Sequence, residues 1–88
     1  MNEAREQVKW FVGEMEKTLL ENDYKGGWQN CDQWYLIGRL REETIELERS
    51  LHDARYDETK LTKVIKEATD VSNFAMMIAD NALRESIK

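Results

Sequence analysis

The sequence predicts an all-α protein, in which a protomer of three helices completes a core of the four-helix-bundle type by associating with further copies of the chain. Three observations lead to this prediction. The chain contains no proline and four glycines, two of them adjacent, so little besides one turn interrupts helix. Three long segments repeat apolar residues at helical spacing. The third is apolar around most of its circumference, which three helices of one chain cannot easily bury.

The first predicted helix covers residues 3–22. Its apolar side chains recur at the three- and four-residue spacing of a helix, with charged residues between them. These apolar positions are Val8, Phe11, Val12, Met15 and Leu19. The segment is therefore an amphipathic helix with one face directed at the core.

A polar connection with the adjacent glycines Gly26 and Gly27 follows, because glycine allows the backbone to turn sharply and to approach another group closely. Lys25 and Trp28 flank the glycines and place one cation and one flat ring on this connection. The lysine is suited to a phosphate, and the indole is suited to stacking on a base. The alternative interpretation is that Trp28 fills a gap between two helices while Lys25 is solvated.

The second predicted helix covers residues 32–54, with Asn30 or Asp32 as its cap. One face of this helix carries the apolar residues Leu36, Leu40, Leu47 and Leu51. At the helical period, Glu43 falls about 60° from the middle of that face. We therefore expect the Glu43 carboxylate to lean toward the core rather than into water.

The third predicted helix covers residues 60–86 and follows a polar connection in which Asp57 or Thr59 is the candidate cap. Its core face is predicted to consist of Leu61, Val64, Ile65, Ala68, Val71, Ser72, Ala75, Ile78, Ala79 and Ala82. Between Val71 and Ala79 apolar residues surround most of the helix, which indicates burial on more than one side. We expect a homodimer or a homotetramer.

Two pairs of acidic residues lie on these last two helices, Glu43 with Glu46 and Glu67 with Asp70. Residues three apart share one face of a helix. Several ionised carboxylates brought together inside a fold need a cation to replace their lost hydration. Ligands that are all oxygen favour Mg²⁺, with Mn²⁺ as a substitute, over zinc. The alternative is that the acids lie on solvated faces of a chain in which 35% of the residues are charged.

Composition excludes several other classes of function. The net charge of −5 disfavours binding to a nucleic-acid polymer or an anionic membrane, which requires a basic patch. Cys31 and His52 are the single cysteine and the single histidine, so neither an intramolecular disulfide nor a Cys/His zinc site is expected. The first residues lack the features of a signal peptide, and no apolar segment is long enough to span a membrane. We expect one cytoplasmic domain covering residues 1–88.

Four sequence motifs carry a resemblance to a known family. EETIE at residues 42–46 and EATD at residues 67–70 resemble the EExxE and ExxD motifs of the MazG-like, all-α nucleoside triphosphate pyrophosphohydrolases. KGGW at residues 25–28 and DVSNFAMMIADN at residues 70–81 resemble short single-domain members from phages and bacteria. The resemblance covers residues 11–81. The chain departs from other branches of the family in having one copy of the domain and in having Thr69 where glycine often precedes the aspartate.

This resemblance implies a Mg²⁺ site and a reaction. By position, the ligands would be Glu43, Glu46, Glu67 and Asp70. The implied substrate is a nucleoside triphosphate, cleaved between its α and β phosphates into a monophosphate and pyrophosphate.

Within such a site, we expect Glu46, or Glu42 about one turn before it, to orient or deprotonate the attacking water. Lys25 is expected to neutralise phosphate charge, and Trp28 to face the base. Asn81 lies about three turns beyond Asp70 on the same side of the helix, where it would hydrogen-bond the substrate. Two alternatives stay open. One is a non-catalytic helical module that binds a nucleotide or a protein, and the other is a phosphohydrolase of related fold.

Overall fold

The computed structural model describes residues 3–88, and every regular element in that range is helical. Residues 1–2, where the predicted domain and its N-terminus begin, lie outside the described residues. Helix α1 is Glu6–Asn22, α2 is Gln33–Ala54 and α3 is Leu61–Ser86. Short 3-10 helices at Asp23–Lys25 and Glu58–Lys60 join them. The predicted all-α class with three helices is confirmed, and each helix begins one to three residues later than predicted.

Local side chains explain where the helices begin. Asp32 caps α2, because its carboxylate accepts a hydrogen bond from the backbone N–H of Trp34 at 2.7 Å. Asp57 accepts from the N–H of Thr59 at 3.1 Å and so caps the short 3-10 helix that leads into α3. Gly26 ends the 3-10 helix Asp23–Lys25 with φ of 90°, a conformation that residues other than glycine rarely adopt. Both capping residues are among those the sequence suggested.

Helix α3 is the central element, with α2 antiparallel to it on one side and α1 on another. Gln33 at the start of α2 donates from Nε2 to the carbonyl of Ile78 near the end of α3, at 3.0 Å. On the other side, Asn73 Nδ2 donates to the carbonyl of Met15 at 3.2 Å and joins α3 to α1. Side-chain amides therefore link α3 to both α1 and α2.

The single chain is open rather than tightly packed. Its radius of gyration is 14.6 Å, whereas a compact domain of this length has about 12 Å. Its accessible surface is 6975 Å², against about 5,400 Å² for a folded monomer of this mass. Among residues 3–88, Leu36 is the one apolar side chain that is buried. The single chain thus leaves many large apolar side chains exposed.

The predicted core face of α3 is only half covered in the single chain. Five of its members, Leu61, Ile65, Ala75, Ala79 and Ala82, are exposed. The buried residues of α3 are polar, namely Glu67, Thr69 and Asn73. The physical reason is that α1 and α2 pack on the other sides of α3, so the side that carries these five residues has no neighbour within the chain.

Among the helices of residues 3–88, none combines the length and the apolar character that crossing a bilayer requires.

Candidate metal centre

Three carboxylates converge where the middle of α2 faces α3. Glu43, Glu67 and Asp70 each place one carboxylate oxygen within 4.8 Å of the others. Glu67 and Asp70 are three residues apart, so they share the side of α3 that faces α2. The side chains of Glu43, Glu67 and Asp70 are only 14%, 9% and 19% exposed. The expectation that Glu43 leans inward is confirmed, and three of the four predicted ligands lie together.

The surroundings of the Glu43 carboxyl disfavour its ionised form. Burial raises its pKa above the ordinary 4.5, and the negative charge of Asp70 and a hydrogen bond with Glu67 raise the pKa further. The positive charge of Arg39 opposes these effects without cancelling them. An additional positive charge nearby, such as a bound cation, would therefore stabilise the ionised form of the Glu43 carboxyl.

The donor set suits a hard divalent cation. Oxygen atoms bound to one octahedral Mg²⁺ lie about 2.9–4.2 Å apart, as follows from Mg–O distances near 2.1 Å. The three carboxylate oxygens are within 4.8 Å of one another, so side-chain movements of about an ångström would bring them to ligand spacing. All the donors are oxygens, which favours Mg²⁺ or Mn²⁺ over softer metals.

Glu46 and Glu42 lie outside this three-acid group. The side chain of Glu46 is 45% exposed, and its carboxylate accepts from Arg49 Nη1 at 3.1 Å. Glu42 is exposed and pairs with Arg39. The assignment of Glu46 as the fourth ligand, and of Glu46 or Glu42 as the residue that activates water, stays a prediction.

A cavity of about 440 Å³ opens beside the carboxylates, bounded by α1, the connection after it, α2 and α3. Glu43 and Asp70 line one part of it, and Lys25 and Trp28 line another. The volume lies within the range of about 300–1,000 Å³ that is usual for small-molecule sites. The structure therefore brings two predicted substrate-binding residues to the same cavity as two predicted metal ligands.

Trp28 is held in place by the end of α3. Its indole Nε1 donates to Asp80 Oδ2 at 2.9 Å, and its backbone carbonyl accepts from Asn81 Nδ2 at 3.2 Å. The side chain is half-buried and also lines the cavity. Trp28 thus both fills a gap between elements and presents surface to the cavity, which combines the two interpretations that the sequence left open.

Lys25 and Asn81 differ in their positions. Lys25 is exposed at the rim of the cavity, with its ammonium 5.7 Å from the centre of the Tyr24 ring. Asn81 does not line this cavity, and its amide holds the Trp28 carbonyl and pairs with Arg84. The structure gives Asn81 a role in positioning the connection, while its predicted contact with substrate stays untested.

Sequence reasoning missed two cations in the cavity wall, Arg39 and Lys66. Each lies four residues before one of the clustered acids, so the spacing could have suggested an ion pair within the helix. The spacing alone does not show that both side chains also face a cavity.

We expect the docking of Trp28 to depend on the charge of Asp80. The indole N–H and the Arg84 guanidinium lower the pKa of Asp80 below its ordinary 3.8. A depressed pKa in the folded state means that this stabilisation is complete above the ordinary pKa and is lost as pH falls through the folded value. The NMR signal of the Trp28 indole should therefore titrate with a midpoint below 3.8, and Asp80→Asn should abolish the titration. A midpoint at or above 3.8, or an unchanged titration in Asp80→Asn, would contradict the assignment.

Comparison with known proteins leaves the site to be interpreted from its own geometry. No protein-family model, curated protein or solved structure matches the chain.

Proposed function

We propose that the protein is a Mg²⁺-dependent nucleoside triphosphate pyrophosphohydrolase, which releases a nucleoside monophosphate and pyrophosphate. The observation that carries the proposal is the convergence of Glu43, Glu67 and Asp70 at the wall of a cavity large enough for a small molecule. The MazG-like motifs of the sequence support the same reaction. An acidic protein needs such a centre to accept a polyphosphate, because its carboxylates alone would repel the substrate.

Glu43, Glu67 and Asp70 would hold the divalent cation, with Glu46 as the predicted fourth ligand. A bound Mg²⁺ supplies neutralisation of phosphate charge and makes a water more acidic. Side chains of the protein would make the other contacts with the substrate. Lys25 at the rim of the cavity would attract the phosphate chain, and Trp28 would offer a ring face to the base.

Water activation would require a carboxylate near the phosphate to be cleaved. Glu46 and Glu42 are the candidates, and both are paired with an arginine on the same helix. An exposed ion pair of this kind contributes little stability, so it can open when a substrate binds. Asn81 would act by holding the Trp28 backbone, and so would set the shape of the cavity.

The test is product analysis. Purified protein is incubated with a panel of canonical and modified ribo- and deoxyribonucleoside triphosphates, with Mg²⁺ and with chelator, and the products are separated by chromatography. We expect monophosphate and pyrophosphate in equal amounts, with Mg²⁺ only. Release of orthophosphate instead would indicate a phosphohydrolase of another specificity. Mg²⁺ binding by a folded protein without turnover would favour the non-catalytic binding module.

The proposed enzyme is a homodimer or a homotetramer. The accessible surface of the chain exceeds that of a compact monomer by about 1,600 Å², and two chains that each bury this area reach the size of obligate interfaces, about 2,000–5,000 Å² in total. The exposed face of α3 offers a seam for such contact, because its residues recur alternately four and three apart. These residues are the exposed Leu61, Ile65, Ala75, Ala79 and Ala82 and the half-buried Ala68 and Ser72. Its small side chains allow two helices to approach closely, which would complete a four-helix core.

A further inference from the structure

Each of the three clustered acids has a cation one turn before it on the same helix. Arg39 Nη2 lies 3.2 Å from Glu43 Oε1, and Lys66 Nζ lies 3.4 Å from Asp70 Oδ2. Lys63 Nζ lies 3.7 Å from Glu67 Oε1. The three carboxylates and the three cations therefore have balanced charges.

The three cations differ in what else they face. Arg39 and Lys66 line the cavity together with Glu43 and Asp70, whereas Lys63 does not line it. The Arg39 guanidinium also lies over the ring of Phe74, 5.2 Å from its centre, and this ring lines the same cavity. Stacking on a ring leaves the N–H groups at the guanidinium edge free to change partners.

We propose that Arg39 and Lys66 exchange partners during binding. They neutralise Glu43 and Asp70 when no metal ion is present, and they bind phosphate oxygens of the substrate once a divalent cation has taken their place at the carboxylates. This inference rests on the proposed function and identifies the residues that recognise the phosphate chain. Arginine and lysine are the side chains that bind phosphate most strongly, the former through two parallel hydrogen bonds.

The charges explain why the exchange is needed. One divalent cation among three ionised carboxylates leaves one negative charge uncompensated, and that charge repels a polyphosphate. Arg39, Lys66 and Lys63 together add three positive charges, which makes the centre positive by two charges, and Arg39 and Lys66 lie on the two helices that form the cavity wall. Metal binding and phosphate binding are then coupled, because the metal ion frees the two cations that the phosphate requires.

The experiment measures binding without turnover, by calorimetry on the full chain. The probes are Mg²⁺ alone and then inorganic pyrophosphate at a fixed Mg²⁺ concentration. The variants are Arg39→Gln and Lys66→Gln, with Lys63→Gln as the matched control. Lys63→Gln also removes the counter-charge of one clustered acid, but it removes no cation from the cavity.

We expect all three variants to bind Mg²⁺ alone at least as tightly as the wild type, since each loses a competing cation. Arg39→Gln and Lys66→Gln should bind pyrophosphate about tenfold more weakly, while Lys63→Gln should match the wild type. The side chain of Lys66 is 61% exposed, so Lys66→Gln tests the proposal even if Arg39→Gln fails to fold.

Two other outcomes are distinguishable. If the wild type binds Mg²⁺ and pyrophosphate and the three variants bind pyrophosphate equally well, the exchange is overturned while the metal centre stands. If the wild type binds no Mg²⁺, both the proposed function and the proposed exchange of partners are overturned.

Discussion

Glu43→Gln is expected to abolish Mg²⁺-dependent pyrophosphate release, with a loss of about a hundredfold or more, and to leave the metal-free protein folded and more stable. Glutamine has nearly the shape of glutamate but removes the central negative charge of the three-acid group. The raised pKa of Glu43 shows that its ionised form is disfavoured by burial and by Asp70. Removing that charge relieves the repulsion in the absence of a metal ion, and Arg39 keeps its contact with Glu42.

The matched control is Glu48→Gln, which removes the same charge from an exposed position of α2. Two measurements are made on each variant: initial rates of pyrophosphate release with saturating Mg²⁺, and thermal unfolding in the presence of chelator. We expect Glu43→Gln to lose the rate and to raise Tm, and Glu48→Gln to change neither appreciably. Normal turnover by Glu43→Gln, or an equal loss in both variants, would remove Glu43 from the metal centre.

Ala79→Arg is expected to dissociate the oligomer and to lower Tm by more than about 10 °C. Ala79 lies in the exposed face of α3, where an alanine lets two helices approach closely. An arginine there would separate the helices and bury a charge without a partner. The effect should be large because the single chain buries just one apolar side chain among its described residues.

The control for this prediction is Thr62→Arg, which adds the same side chain at an exposed position of α3 outside the predicted seam. Light scattering after gel filtration gives the mass, and thermal unfolding at several protein concentrations gives the stability. The wild type and Thr62→Arg should be oligomeric with a Tm that rises with concentration. A monomeric wild type with a concentration-independent Tm would show that α3 needs no partner.

The fold class was predictable from the sequence because its determinants are local. Helical periodicity, the break at Gly26 and Gly27 and the cap at Asp32 depend on neighbours within a few residues. The three-acid group was predictable for a similar reason, since spacing fixes which side of a helix a residue occupies. Glu43 lies near the apolar face of α2, so packing that face on α3 carried it to the other acids.

Features that depend on distant contacts were not predictable. The partner of Trp28 is Asp80, 52 residues away in the chain, and no local pattern joins them. Asn81 was assigned to the side of α3 that carries Asp70. In the structure its amide instead donates a hydrogen bond to the backbone carbonyl of Trp28, in the connection after α1. The pairing of Glu46 with Arg49 competes locally with a metal ligand role, and spacing cannot decide between them.

The apolar face of α3 shows a different limit. Periodicity identified a face that avoids water, but it could not say whether the covering surface belongs to the same chain. Within the chain, the sides of α3 that carry Asn73 and Glu67 are covered instead, with Asn73 bonded to α1 and Glu67 facing α2. The extended shape and the excess of accessible surface support the proposal that the covering surface belongs to another chain.

The most direct measurement is anomalous diffraction from crystals grown with Mn²⁺ and a nucleotide whose α–β bridge cannot be hydrolysed. We expect an anomalous peak at about 2–2.5 Å from carboxylate oxygens of Glu43, Glu67 and Asp70, with the phosphate chain directed into the cavity beside Arg39 and Lys66. The same map would show whether Glu46 leaves Arg49 to become the fourth ligand. A fully occupied nucleotide with no peak among these three carboxylates would contradict the metal centre on which the proposed reaction depends.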